Sequence, residues 1–235
     1  MSNFENIFKA AAEGTINDLK FFLEKKGCTI NDKDDAGWVP LHHAAKQNKD
    51  EKVIEYLVKQ GSDVNIKSNS GRTPLHAASQ GNVNIKIFKY LISKGSIANV
   101  KNNDNDSPLH DAAAWNSNPE VIKYLISQGI DVNTLNNKNN TPLHRFCLLN
   151  SNFEILKILI SSKADINAKA EDGSTPLMTY LTRKDCYIEI VKFLVSSKAD
   201  INIKDNYGAS CITVAKIVGK ETGNMSIFDY LSGLN

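Results

Sequence analysis

The sequence predicts an all-α solenoid of stacked helix-turn-helix units with projecting β-hairpin-like loops, and three observations predict it. Pro-Leu-His begins at Pro40, Pro74, Pro108 and Pro142, with a degenerate copy at Pro176-Leu177-Met178, each copy 34 residues after the last. A period in that range marks one supersecondary unit that cannot bury its own apolar face and so must stack on its neighbours. Between the copies, apolar residues follow helical spacing in two successive segments, as in 74–81 and 87–92. The remaining stretch of each period, such as 96–104, is polar and turn-rich and suits an extended loop that returns to the next proline.

The elements follow in order. Residues 1–35 lack the tetrapeptide and form an N-terminal cap unit: Ser2 and Glu5 have capping-box spacing before Ile7, Phe8 and Ala10, and Leu19, Phe22 and Leu23 give a second apolar face. Five internal units occupy 36–69, 70–103, 104–137, 138–171 and 172–206. In the second of these, Thr73 offers an N-cap hydroxyl, and Pro74 stands at the first helical position, where no amide bond is lost. Ala77 and Ala78 keep the first helix thin, Gly81-Asn82 breaks it, and Lys94-Gly95 ends the second helix with glycine in the capping role. Residues 207–235 replace the tetrapeptide with Ser210-Cys211-Ile212 and end in a short helix over 225–231, a C-terminal cap unit. Seven units with caps describe a single elongated domain and a complete, monomeric protein.

Composition narrows the function classes. Apolar content of 41% and charged content of 23% are ordinary, and no apolar run approaches the roughly 18 residues of a membrane span. The N-terminus has neither a basic nor an apolar leader region, and Cys28, Cys147, Cys186 and Cys211 show no metal or disulfide spacing. A cytoplasmic location follows, with nuclear access open. Net charge is +2, and of 28 basic residues only Arg72, Arg145 and Arg183 are arginine. A nucleic-acid reader concentrates arginines on one face, so no specific nucleic-acid partner is expected. The 27 asparagines suggest an AT-rich coding genome more than a chemical purpose.

The TPLH step, the paired alanines and the strings Gly61-Ser62-Asp63-Val64-Asn65, Gly129-Ile130-Asp131-Val132-Asn133, Ala164-Asp165-Ile166-Asn167 and Ala199-Asp200-Ile201-Asn202 resemble the ankyrin repeat family over nearly the whole chain. The family norm is 33 residues; the extra residue here lies between the helices, as in 48–52, and the unit ending near Asn206 carries a second one around 183–188. The resemblance implies a non-catalytic scaffold or adaptor that binds a protein on its concave face. Residues 31–38 are similar to a stretch of gankyrin-type proteasome-assembly chaperones, one or more repeats earlier here, while the strict period and Asn-rich loops look equally like stand-alone or host-targeting effector ankyrins. Gly37-Trp38 and residues 105–111 resemble pieces of histone-tail readers, in which acidic and amide side chains follow the Trp step; here His43 and Lys46 do. Asn65, Asn133, Asn167 and Asn202 resemble positions that asparaginyl hydroxylases modify, although an asparagine that ties its turn to backbone accounts for them as structure.

Reactive chemistry finds little footing. His42, His76, His110 and His144 recur with the period, but stacked helices lie about 8–10 Å apart while zinc ligands must each come within about 2 Å of the metal, so a structural imidazole bonded to the capping hydroxyl and loop backbone is expected. Asp32, Asp34 and Asp35 lack the partners of a calcium loop. No phosphate cradle, nucleophile elbow or H-E-x-x-H helix occurs, so neither an enzyme nor a cofactor is expected. Tyr56, Tyr90, Tyr124, Ile158 and Phe193 read as packing between repeats, and the lysines one step before most of them as a solvated face.

Recognition must then be carried by residues that the stack does not require. At the loop position before each helix and on the exposed side of the first helices, the sequence offers Trp38, His43, Arg72, Asp106, Asp111, Trp115, Arg145 and Arg183 as partner-binding residues in a concave groove.

Overall fold

In a computed structural model, which describes residues 2–234, the chain forms fourteen helices and, among those residues, no strand. Its internal contacts divide it into two compact units, one ending at Ile130 and the other beginning at Asp131. In the first, helices come in pairs: α1 (Ile7–Glu13) with α2 (Ile16–Lys25), α3 (Pro40–Gln47) with α4 (Glu51–Lys59), α5 (Pro74–Gly81) with α6 (Ile85–Ser93), and α7 (Pro108–Trp115) with α8 (Pro119–Ser127). The first helices of the pairs pack one on the next, as do the second helices. The second unit holds α9 (Pro142–Leu149) with α10 (Phe153–Ser161), α11 (Pro176–Leu181), α12 (Ile188–Ser196), and α13 (Cys211–Thr222) with α14 (Ser226–Ser232). Here α9, α11 and α13 form the row of first helices.

Small side chains let the first helices approach. Ala44, Ala45, Ala77, Ala78, Ala112 and Ala113 are fully buried; in α9 the same places hold buried Phe146 and Cys147. Helices α4, α6, α8, α10 and α12 each turn an i, i+1, i+4 set inward, as in Val53, Ile54 and Leu57 or Ile87, Phe88 and Leu91, all at 0% exposure. Burial of one such side chain contributes about 1.5–3 kcal/mol.

The repeated histidines act as helix caps. The backbone N–H of Thr73 donates to His76 Nδ1 (3.2 Å), and the other ring nitrogen lies 3.0 Å from the Asp106 carbonyl in the next loop. With Nδ1 accepting, the proton sits on Nε2 and is donated across repeats. His42 and His144 repeat the arrangement with Arg72 O and Ser174 O. The expected hydroxyl cap is made by Thr141 and Thr175, whose Oγ1 atoms accept from His144 N and Met178 N. At Thr73 the hydroxyl instead meets His76 Nδ1, and at Val39 no hydroxyl exists, so there the imidazole caps alone.

The loops are tight hairpin-like tips without a strand ladder. In each, a backbone N–H donates to the carbonyl four residues on, as Ser68 to Arg72, and the position three residues on closes a turn, as Gly71 N to Ser68 O. One further bond joins consecutive tips: Asn69 N to Ala36 O, Asn103 N to Ser70 O, Glu171 N to Lys138 O and Asn206 N to Asp172 O. Gly37 shows why a glycine is needed: its φ is +75°, and a Cβ would stand 2.3 Å from Asn69 Oδ1 of the next tip.

Two expectations are corrected. Ser2 and Glu5 do not open the first helix; α1 begins at Ile7 and is capped by Asn6, whose Oδ1 accepts from Lys9 N. That asparagine directly precedes the apolar run and needs no box. The asparagines as a class also serve a purpose that composition conceals. Asn48 Nδ2 donates to Ala11 O and Gly14 O, Asn82 Nδ2 to Ala45 O and Asn48 O, and Asn116 Nδ2 to Ser79 O and Asn82 O, so each closes the end of the preceding first helix. In the unit with the longer inter-helix connection, α11 stops at Leu181 and Arg183 Nη1 takes over this task, donating to Asn150 O (2.6 Å) and Cys147 O (3.4 Å). Asn65, Asn133 and Asn167 likewise donate to carbonyls of the following repeat, at Gly95, Lys163 and Lys198.

Candidate functional site

Within the first unit, most residues expected to face a partner are already engaged. Asp111 is fully buried, and Arg72 Nη1 donates to its Oδ2 in an ion pair between neighbouring repeats. Burial pushes the Asp111 carboxyl above the ordinary carboxylate range, with the Arg72 charge opposing the shift. Asp106 is only 4% exposed. The expectation that these two carboxylates line an open surface is therefore corrected: their positions follow the period, but the loop and helix that carry them close over the side chains. Trp38 and His43 come together in a half-buried cluster. The Trp38 ring lies 5.3 Å from that of His43, Lys46 Nζ stands 5.5 Å over the indole, and His43 Nε2 is 2.9 Å from Asp34 Oδ2. Phe8 packs on the other side of His43 at 5.3 Å. Trp115, by contrast, is 52% exposed at the end of α7.

In the second unit, Arg183 is spent on its helix clamp and on Asp185, which it meets through both Nε and Nη2. Arg145 is not spent. It lines a cavity of about 650 Å³ built from the loop tips at Lys138–Asn140, Ala170–Ser174 and Asp205–Tyr207 and from α9, α11 and α13. Arg145 and Leu148 enter from α9, Met178, Thr179 and Thr182 from α11 and its end, and Val214 from α13. Threonines on the middle helix leave the floor low, while Leu148 (40% exposed) and Tyr207 (86% exposed) present apolar surface on its flanks. Glu171, Asp172 and Asp205 set carboxylates along the tips. Sequence reasoning found Arg145 from its helix position; it missed Tyr207, although the tip positions one period apart, Lys138 and Asp172, pointed to it.

Burial shifts the imidazoles and the thiols away from their ordinary ranges. Burial pushes His42 and His76 down to about 4 and lowers His144, leaving neutral rings. Burial raises all four thiols, Cys186 to about 11 and Cys211 to about 12, which disfavours the thiolate a nucleophile requires. Among the described residues no cluster of three metal-ligating side chains forms, and no helix is long and apolar enough to cross a membrane.

A search of curated proteins returns no match. The family model described as ankyrin repeats (3 copies) matches residues 7–102, 47–136 and 109–205. Helices α1 to α12 and the imidazole caps lie within those matches, and the chain belongs to the ankyrin repeat family.

Proposed function

We propose that this chain is a non-catalytic protein-binding scaffold whose partner seats in the groove over α9, α11 and α13. The family is in general a protein-interaction module, and one observation supports the location: loop tips and first helices of the second unit enclose an open cavity of about 650 Å³ that combines exposed apolar side chains with charge of both signs. Such a mixture of aromatic and aliphatic flanks with charged edges is what protein interfaces use. Trp115 is a second proposed contact, because its large indole is 52% exposed.

The test is affinity capture from the source cell with the whole chain as bait. Leu148→Asp combined with Thr179→Glu should remove a specific partner that wild type retains, whereas Lys123→Glu, at an exposed position of α8, should not. Equal capture by all three baits would refute the groove.

A further inference from the structure

Of the three arginines, Arg72 and Arg183 are each held by a carboxylate, Asp111 and Asp185. Arg145 differs. Among the described residues its guanidinium makes no ion pair and its Nε is buried without an acceptor. Buried polar groups nearly always have partners, so this orphan marks Arg145 as the arginine that the fold itself does not hold, on a side chain that lines an open cavity.

We infer that Arg145 receives a side-chain carboxylate from an extended segment of the partner, with a neighbouring apolar residue of that segment covering Leu148 and Tyr207; the inference rests on the groove reading above. Three features select this occupant. A guanidinium matches the planar carboxylate with two parallel N–H donors. The same cavity carries Glu171, Asp172 and Asp205 against only Lys138 and Arg145 as cations, so a doubly charged phosphate meets more repulsion than a singly charged carboxylate. A small free acid would leave Leu148 and Tyr207 uncovered, whereas a peptide covers them and crosses all three loop tips. Arg145 and Leu148 are three residues apart on α9, about 4.5 Å along the helix axis. An extended chain advances about 3.3 Å per residue, which sets the acid and the apolar residue one or two positions apart.

The test presents the immobilised full chain with a random heptapeptide library acetylated and amidated at its ends, so that only side chains supply carboxylates. Wild type should enrich Asp or Glu with an apolar residue one or two positions away. Arg145→Gln should reduce the acid enrichment at least tenfold and keep the apolar one, and Arg145→Lys should restore part of it. Because Arg145 Nε has no acceptor among the described residues, Arg145→Gln should also keep the wild-type urea midpoint; a large fall would contradict the orphan assignment. Enriched peptides without an acid preference, or an acid preference that survives Arg145→Gln, would overturn this inference and leave the groove standing. If wild type retains no peptide, the groove reading fails with it.

Discussion

A charged side chain reads as a contact on paper and as a structural element once its partner is known. Arg72 and Asp111 lie 39 residues apart, one period plus five, and nothing local in either segment announces the pair. Asp111 at 0% exposure cannot meet an incoming protein, and Arg72, with its side chain 16% exposed, is tied to it. Removing one member should therefore damage stability before it touches binding. Arg72→Ala strands a buried carboxylate and is expected to cost about 3–5 kcal/mol, while the double variant Arg72→Met/Asp111→Leu, which replaces both charges by apolar groups, should recover most of it. Urea titrations followed by circular dichroism decide the matter; equal losses in the single and double variants would show that packing, not charge, sets the cost. For the same reason, loss of a partner with Arg72→Ala would report unfolding rather than recognition.

At the level of elements, the helices were legible because their signals are local: proline at the first position, a polar break, an apolar face repeating every 34 residues. The clamps between helices were harder to see. Asn48, Asn82 and Asn116 recur with the same period, yet a composition rich in asparagine hides a periodic subset, and only the carbonyls they meet reveal its purpose. Asn82→Ala removes two donated bonds from a side chain 4% exposed and should cost about 2–3 kcal/mol, with Asn82→Asp costing more because a carboxylate cannot donate. Asn99→Ala, an exposed loop position, should stay within about 0.5 kcal/mol of wild type; matching losses at 82 and 99 would remove the clamp assignment. Arg183 shows how a candidate contact can hide the same device: a longer turn carries the clamping residue away from the helix end, and only a long side chain reaches back to Asn150 O. Arg145 was found by helix position alone, but that it has no ion pair among the described residues while Arg72 and Arg183 have theirs was invisible until distances between repeats were known.

For the whole molecule, the imidazole caps make stability a function of pH even though the net charge is only +2. In the fold, burial holds His42 and His76 near 4 and lowers His144, whereas an unfolded histidine titrates near 6.5. Below 6.5 the unfolded chain thus binds more protons than the fold, so stability present above that pH is lost as pH falls toward 4. Asp111, raised by burial, slopes the other way. Asp18, Asp172 and Asp185 are lowered, so their loss lies below the ordinary carboxylate value of 3.8, outside this window. The histidines therefore set the sign between pH 6.5 and 4, and each of His42 and His76 should withdraw on the order of 2 kcal/mol between pH 7.5 and pH 5. The urea midpoint should be flat above pH 7 and fall steadily below 6.5. His76→Gln should start less stable at pH 7.5, because the bond to the Asp106 carbonyl is weakened, and then show a shallower fall. An unchanged midpoint at pH 5, or a slope in His76→Gln as steep as wild type, would show that the protonation of these caps is not what acid acts upon.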